Sequence, residues 1–592
     1  MNSKLISSRL KFLTFAFLCF SVGAFVLLSL RSFNVTVGPL WTIRIPASRG
    51  KILDAQGRLC AYDEFVNVAY LDLDYVRSSN SDRLKPYLGL LLRNFKIEKT
   101  AEEVLSSRSR FLRLGEGPSR DEILKLVPTE MLPFVSVELE ARRKRFTEFG
   151  MDKILGLVIA DRAVGGVEEA LDAQLRGKRD GKAFLKFSGF VNLLPELVFL
   201  RDPVDGKDVR LTIDLDLQRI CYEEIVRAKE QNRAVGAGAI VMETKTGKIR
   251  AMVTTRNWND TVLGYIEPGS ALKPIVYAIA IESGVLKGNE VFQCTGQIKP
   301  VPELDITVRD IDAHGTVDVK EALVHSCNSA TIMIARLIKE KIGEEAYYEW
   351  LKKFGFGEKT GVEIAGEISG VLRKPSQWSK IDFAMISIGH GIGTPPLQFL
   401  AAFNTLANSG KYVRPTIVEE NTPVEKRVLS EETSRFIREA LQAVVSQGTG
   451  KKANVLGVNV AGKTGTAQKL ADGKDRYFSI FVGYFPSEDP LYTIMVYVDE
   501  PSAGAYLAGE VAAPIFASIV KRLIQLRKEH PLSVTTHAMP DLRGLTLRDA
   551  LLILQQLGIS DVRIEGVGKV SEQYPEPGAI DFKGKTVFLK LQ

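Results

Sequence analysis

Histidine and cysteine are both scarce in this chain of 592 residues, at five each. The histidines show no HExxH or other ligand spacing, so no metal site is expected. The cysteines, Cys19, Cys60, Cys221, Cys294 and Cys327, are odd in number, widely spread and without a CxxC pair. That argues against a zinc ribbon and against a disulfide framework. The net charge of +7 is small for the length, and no basic stripe or tail concentrates it. A nucleic-acid partner is therefore not expected. Nothing in the sequence asks for a cofactor.

What is present is an ordinary globular composition, with 45% hydrophobic and 25% charged residues. The length is too great for one core, so two to four domains are expected. One uncharged run of 19 residues, 12–30, is long enough to nearly cross a hydrocarbon core of about 30 Å at about 1.5 Å per residue. Lys4, Arg9 and Lys11 precede it with no acidic residue among them, which places the N-terminus in the cytoplasm and the bulk outside. A cleaved signal peptide is the rival reading. Its apolar region is usually shorter, about 7–15 residues, and the Arg31-Ser32-Phe33 that follows is a poor cleavage site.

Beyond the apolar run, residues 41–45 alternate like a strand and 48–57 read as strand, turn, strand. Residues 101–126 are polar and helix-prone. A hairpin signature covers 236–254, with Lys245-Thr246-Gly247-Lys248 as its turn. An apolar, helix-spaced run extends from Ser270 to about Ser283. Strand-like runs follow late, at 458–461, 477–484 and 492–498, and a helix at 512–527. A hairpin, a helical middle, more strands and a closing helix describe an α+β domain on an antiparallel sheet. After a linker at 531–537 the chain restarts, with Thr546-Leu547-Arg548-Asp549 as a capping box before a short apolar helix and strands near 562–564 and 587–591.

Three short motifs carry chemistry: Ser270-Ala271-Leu272-Lys273, Ser326-Cys327-Asn328 and Lys463-Thr464-Gly465-Thr466. Each alone is weak, since S-x-x-K recurs at Ser48/Lys51 and K-T-G at Lys245 and Lys359. Context separates them. Ser270 follows Glu267-Pro268-Gly269, a turn that starts a helix, and places Lys273 one turn on. A serine hydroxyl needs a base, and a lysine serves only if burial or a nearby cation lowers its pKa. Lys273 is expected to be that base, with Lys463 supplying the cation. Ser326 is placed to relay a proton to the leaving amine, and Asn328 to hold Lys273 and a substrate amide. Thr464, Gly465 and Thr466 form a strand against which a peptide can lie as an added strand. Backbone N–H groups at the start of the helix and near Thr466 can serve as an oxyanion hole. Cys327 is expected to be a buried core cysteine.

This set resembles the S-x-x-K, S-x-N and K-T-G triplet of penicillin-binding proteins and serine β-lactamases. The interval of 193 residues from first to third motif is similar to that of a transpeptidase. Arg49-Gly50 with Ile52, Asp54 and Gly57, then Gly166-Val167-Glu168 with Leu171 and Gly177, resemble the pedestal of class B penicillin-binding proteins. Gly389-His390-Gly391 leading to Pro396-Leu397-Gln398 resembles their G-x-G loop, with Pro395 where the pattern has threonine. Met539-Pro540-Asp541-Leu542 and Val570 to Gly578 resemble a PASTA domain, and point to the division and sporulation branch.

The resemblance implies a cytoplasmic tail at 1–11, a transmembrane anchor at 12–30, a mixed α/β pedestal at 31–210, a transpeptidase domain at 211–530 and a PASTA domain at 538–592. It implies peptidoglycan stem peptides as substrate, beta-lactams as inhibitors, and acylation of Ser270. Implied partners are divisome proteins and a multi-span glycan polymerase of the shape, elongation, division and sporulation (SEDS) family. They would be met through residues 12–30 and the segment near 49–61. A carboxypeptidase that gives the acyl group to water stays open as the rival activity.

Overall fold

A computed structural model describes residues 42–79, 81–186, 196–471, 474–529 and, between 539 and 592, residues 539, 542–547, 550–551, 554, 559, 561–566, 568–576 and 586–592. The apolar run at 12–30, the linker at 531–537 and Asp549 of the expected capping box lie outside them. No helix among the described residues is long and apolar enough to cross a membrane. The chain forms two compact units, Met1–Ala517 and Ser518–Gln592.

The first unit opens on a sheet built around the long strand Leu59–Asp72. It pairs with Ile52–Leu53, Phe111–Gly117 and Val135–Arg145. The helix expected over 101–126 is replaced by helix Ala101–Ser106, strand Phe111–Gly117 and helix Arg120–Leu124. Ser107 caps the first helix, and pairing with the long strand then claims Phe111–Gly117, whose Leu114 is buried. Tertiary pairing has overridden a polar, helix-prone composition.

The two glycine–charge motifs of this region meet in one buried ion network. The Arg49 guanidinium pairs with Glu168 at 2.9 Å and Asp172 at 2.7 Å. Arg143 pairs with the same Glu168 at 2.6 Å and with Asp63 at 3.1 Å. Gly50 has no room for a side chain, since a Cβ there meets the Lys207 carbonyl. Breaking such a set by removing one partner costs on the order of 3–5 kcal/mol, because the other charge stays buried. Six of the thirteen residues at 49–61 are buried: Gly50, Ile52, Leu53, Asp54, Cys60 and Ala61.

The catalytic-type sheet has five antiparallel strands in the order Ile249–Thr254, Gly236–Glu243, Tyr492–Asp499, Lys474–Phe485, Ala461–Ala471. The hairpin and the late strands of the sequence therefore join across a helical middle, as an α+β fold requires. The run at 458–461 enters the sheet only at its last residue, and the strand continues through the K-T-G residues to Ala471. Leu215–Gln231 packs on the hairpin strands. Lys273–Glu282 and Pro396–Ala407 both pack on Glu431–Ser446 in the main apolar core.

In the second unit the strand Val587–Leu591 lies between Val562–Gly566, parallel to it, and Val570–Tyr574, antiparallel. Among the described residues its core is Met539, Leu542, Ala550, Leu554, Ile559, Val570, Val587, Leu589 and Leu591, with Leu545, Leu547 and Val562 packed against it.

Candidate active site

Ser270 sits in a 3₁₀ turn, Gly269–Leu272, that runs into the α-helix Lys273–Glu282. In a 3₁₀ turn residues i and i+3 eclipse, so Lys273 stacks directly under Ser270. Pro274 in the first turn of the helix fits there, because its missing N–H would have no partner. Ser270 is half-buried between the buried Gly269 and Ala271, and Lys273 is completely buried. Gly269 has φ +52°, a conformation that favours glycine.

The second motif comes to the first through Lys273. Its ammonium donates to the Ser326 carbonyl at 2.5 Å and to Asn328 Oδ1 at 2.7 Å, with Ser326 Oγ at 3.5 Å. Helix Val319–Val324 ends with the Cys327 N–H on the Ala322 carbonyl at 2.9 Å and Ser326 at φ +56°. This left-handed residue is where a helix end usually carries glycine, and it turns the Ser326 carbonyl onto the lysine. Asn328 starts the next helix, Asn328–Lys341, and its Nδ2 donates to the Arg309 carbonyl at 2.7 Å.

The third motif lies on Ala461–Ala471, whose outer side carries no strand among the described residues. That edge can accept a peptide as an added strand. Lys463 is completely buried and Thr466 half-buried. Thr464 Oγ1 is 2.9 Å from Thr449 Oγ1, and Thr466 Oγ1 accepts from the Ala508 N–H at 3.1 Å. Gly465 is needed by the packing of the protein itself. A Cβ there would stand 2.4 Å from the Pro268 carbonyl and 2.8 Å from Ala271 Cβ, so the glycine lets the strand close on the serine turn.

Two buried lysines on one site cannot both stay charged at ordinary cost. Burial brings the Lys273 pKa down to about 8, against the opposing pull of Asp310 and the Cys327 and Cys294 thiols. Burial first and the Lys273 charge second hold Lys463 well below the usual lysine range. In this arrangement Lys273 keeps the pair's proton. The cation expected at Lys463 would therefore form against its own burial.

Two residues that no motif picked out complete the site. Asp310 accepts from the Asn328 N–H and from Ser329 N and Oγ, at 3.2 and 2.5 Å for the latter two, and so fixes the start of the Asn328 helix. Glu267 is 3.0 Å from His390 Nδ1 and accepts from the Gly391 N–H at 2.9 Å. Burial raises the Glu267 pKa, but these bonds outweigh it and hold the carboxyl below its usual range. With the Gly269 N–H on the Gly389 carbonyl at 3.1 Å, they strap the Gly389–Gly391 loop to the serine turn. Only the position of Glu267 just before Pro268-Gly269-Ser270 could have flagged it in sequence. The repeated K-T-G at Lys245 is a hairpin turn on the surface, ion-paired to Asp489 at 2.7 Å.

The family described as the penicillin binding protein transpeptidase domain matches residues 237–521, and the PASTA domain family matches 537–592. The chain is 33% identical to penicillin-binding protein PbpB of Mycolicibacterium smegmatis over 75% of its length and 73% of that protein's. It is 28% identical to stage V sporulation protein D of Bacillus subtilis, over 93% of this chain and 91% of that one. It is 26% identical to the peptidoglycan D,D-transpeptidase FtsI of Escherichia coli, over 83% and 86%. Among solved structures it resembles penicillin-binding protein 3 of Mycobacterium tuberculosis in complex with aztreonam, with a TM-score of 0.61 and 27% identity over 82% of this chain and 97% of that one. With Ser270 over a buried lysine, that lysine bonded to the S-x-N motif, and the K-T-G strand closing on both, the chain belongs to the penicillin-binding protein transpeptidases and carries a C-terminal PASTA domain.

Proposed function

We infer that this protein is a peptidoglycan D,D-transpeptidase that cross-links stem peptides through an acyl-enzyme on Ser270. The observation that carries the reading is Lys273: completely buried, under Ser270, and bonded to both Ser326 and Asn328. A lysine so placed is a base for a serine nucleophile. The donor strand lies along Lys463–Thr466, with its terminal carboxylate toward Lys463 and Thr466. Ser270 Oγ adds to the penultimate D-alanine carbonyl as Lys273 takes its proton. The tetrahedral intermediate collapses, Ser326 passes a proton to the departing D-alanine nitrogen, and the ester remains. An amine of a second stem peptide then attacks, forming the cross-link amide and freeing Ser270. A beta-lactam enters as the donor does and acylates Ser270 with its own ring nitrogen as the tethered leaving group. No step draws on a metal or a cofactor.

The test is the product. Purified full-length protein given pentapeptide-bearing glycan should yield dimeric muropeptides with release of D-alanine. Release of D-alanine with trimmed monomers alone would make it a carboxypeptidase.

Residues 1–11 are read as a cytoplasmic tail, 12–30 as a single membrane helix, 31–210 as a pedestal, 211–530 as the transpeptidase domain and 538–592 as the PASTA domain. This topology puts Ser270 outside the cytoplasm, where wall precursors are. The two matched families are a transpeptidase domain and a PASTA domain, and a SEDS-family glycan polymerase is the proposed partner, with divisome proteins at the septum. Residues 12–30 and the segment near 49–61 are the proposed contacts. Replacing 12–30 with an unrelated apolar helix should keep penicillin binding and reduce polymerase co-purification and septal placement several-fold. Unchanged co-purification and placement would reduce the helix to an anchor.

A further inference from the structure

The acyl group on Ser270 passes to an amine, and the amine nitrogen gains positive charge as the new C–N bond forms. Unless a base removes a proton before the intermediate collapses, that amine departs more readily than the serine oxygen. Lys273 serves Ser270 Oγ, so a base for the amine is wanted on the other side of the carbonyl.

The donor occupies the strand side of Ser270, along Lys463–Thr466, which leaves the opposite side to the acceptor. The loop Gly389–Gly391 lies there. Gly389 rests against the serine turn, where a Cβ on it would stand 2.0 Å from the Gly269 carbonyl. Ile388, just before the loop, shares a small apolar cluster with Ile332 of the helix Asn328–Lys341. The loop therefore bridges the serine turn and the S-x-N helix, and it carries His390.

The imidazole of His390 is set up as a base. Its Nδ1 is 3.0 Å from Glu267 Oε2, while Glu267 Oε1 takes the Gly391 N–H at 2.9 Å. Burial opposes the Glu267 charge, but these bonds keep it ionised. An ionised carboxylate only accepts, so Nδ1 carries the ring hydrogen and neutral His390 keeps its lone pair on Nε2. Among the described residues Nε2 has no partner, and 28% of the side chain is open to solvent. A carboxylate on Nδ1 with Nε2 free is the arrangement that lets an imidazole take a proton from an attacking group.

We propose that His390, held by Glu267, is the general base for the acceptor amine in the second half of the reaction. This rests on the transpeptidase reading. The amine nitrogen attacks the ester carbonyl, and His390 Nε2 takes one of its protons. The C–O bond to Ser270 then breaks, and its electron pair returns to Oγ, which receives a proton from the Lys273 ammonium. The cross-link amide leaves, Lys273 is again a free base, and the imidazolium gives its proton to water. Glu267 is a positioning residue, since it acts only through His390.

The experiment uses purified full-length protein and pentapeptide-bearing glycan. His390→Asn keeps an N–H donor where Nδ1 stands, so the bond to Glu267 can persist, and it removes Nε2. Dimeric muropeptides should form about 10²-fold more slowly, within the range of general acid–base catalysis. The stem-peptide acyl-enzyme should accumulate in intact-mass spectra. Acylation by penicillin, which needs no amine, should fall far less. Dimers formed at the wild-type rate would overturn the proposal. So would dimer formation and penicillin acylation falling by the same factor, which would make the pair a strap and nothing more. Glu267→Gln should also slow dimer formation, and adding it to His390→Asn should cost little further, because the two act as a unit. Losses that multiply would overturn the pairing. If the wild type makes dimers and His390→Asn makes them equally well, this proposal fails alone; if the wild type makes none, the transpeptidase reading fails with it.

Discussion

Ser270→Ala abolishes labelling of the protein by radioactive or fluorescent penicillin, from one acyl group per chain to none. The expected loss is on the order of 10⁶-fold in acylation rate, since removing the nucleophile of a serine enzyme costs about as much as removing its whole catalytic set. The geometry leaves Ser270 as the serine stacked one turn above a buried lysine, at the open edge of the sheet. Ser326 is the nearest competitor, because its hydroxyl is 3.5 Å from Lys273 Nζ. Its backbone is already fixed at φ +56° by the helix end it closes, and its carbonyl, with Asn328, takes the shorter bonds to the lysine. Mass mapping of the penicilloyl peptide in the wild type locates the ester directly. Stoichiometric label retained by Ser270→Ala would transfer the nucleophile to Ser326. A Ser326→Ala protein should still label, more slowly.

The motifs were legible because each combines a chemical residue with a local signal of its setting. Pro268-Gly269 announces the turn before Ser270, and Lys273 opens a run of buried residues through Ala280. Apolar alternation marks the sheet strands without any knowledge of their partners. Where local preference and long-range pairing disagree, the sequence misleads, as at Phe111–Gly117, which takes its strand form from Leu59–Asp72. Asp310 was hidden because its role exists only after 18 residues of chain bring it onto the Asn328 N–H. Gly465 was legible as a special position but not for its reason, since the crowding atoms belong to Pro268 and Ala271, nearly two hundred residues earlier.

The second large effect is expected at Lys463, and its sign follows from where the pair's proton sits. A base acts unprotonated. With the Lys273 pKa near 8, roughly one tenth of Lys273 is free at pH 7, and acylation should rise about tenfold per pH unit until it levels off above 8. A donor carboxylate near Lys463 changes the division. It favours a charged Lys463, and that charge, beside Lys273, drives the shared proton off Lys273 at the moment the substrate is in place. Binding and base activation become one event. Lys463→Ala removes the group that takes the charge, leaving a protonated Lys273 and an unmatched carboxylate. The acylation rate should fall by about 10²–10⁴, the range spanned by general acid–base catalysis. The ascending limb of its kcat profile should also stay near 8, above that of the wild type, because no Lys463 charge then drives the proton off Lys273 when the donor is bound. Lys463→Arg keeps a cation for the carboxylate but cannot exchange a proton with Lys273. It should recover binding of the donor, seen as a KM near wild type, with kcat still low. Stopped-flow acylation by a chromogenic beta-lactam between pH 6 and 10 measures all three proteins. A Lys463→Ala protein that acylates at wild-type speed with an unshifted limb would show that burial alone prepares Lys273, and that Lys463 has no part in moving its proton.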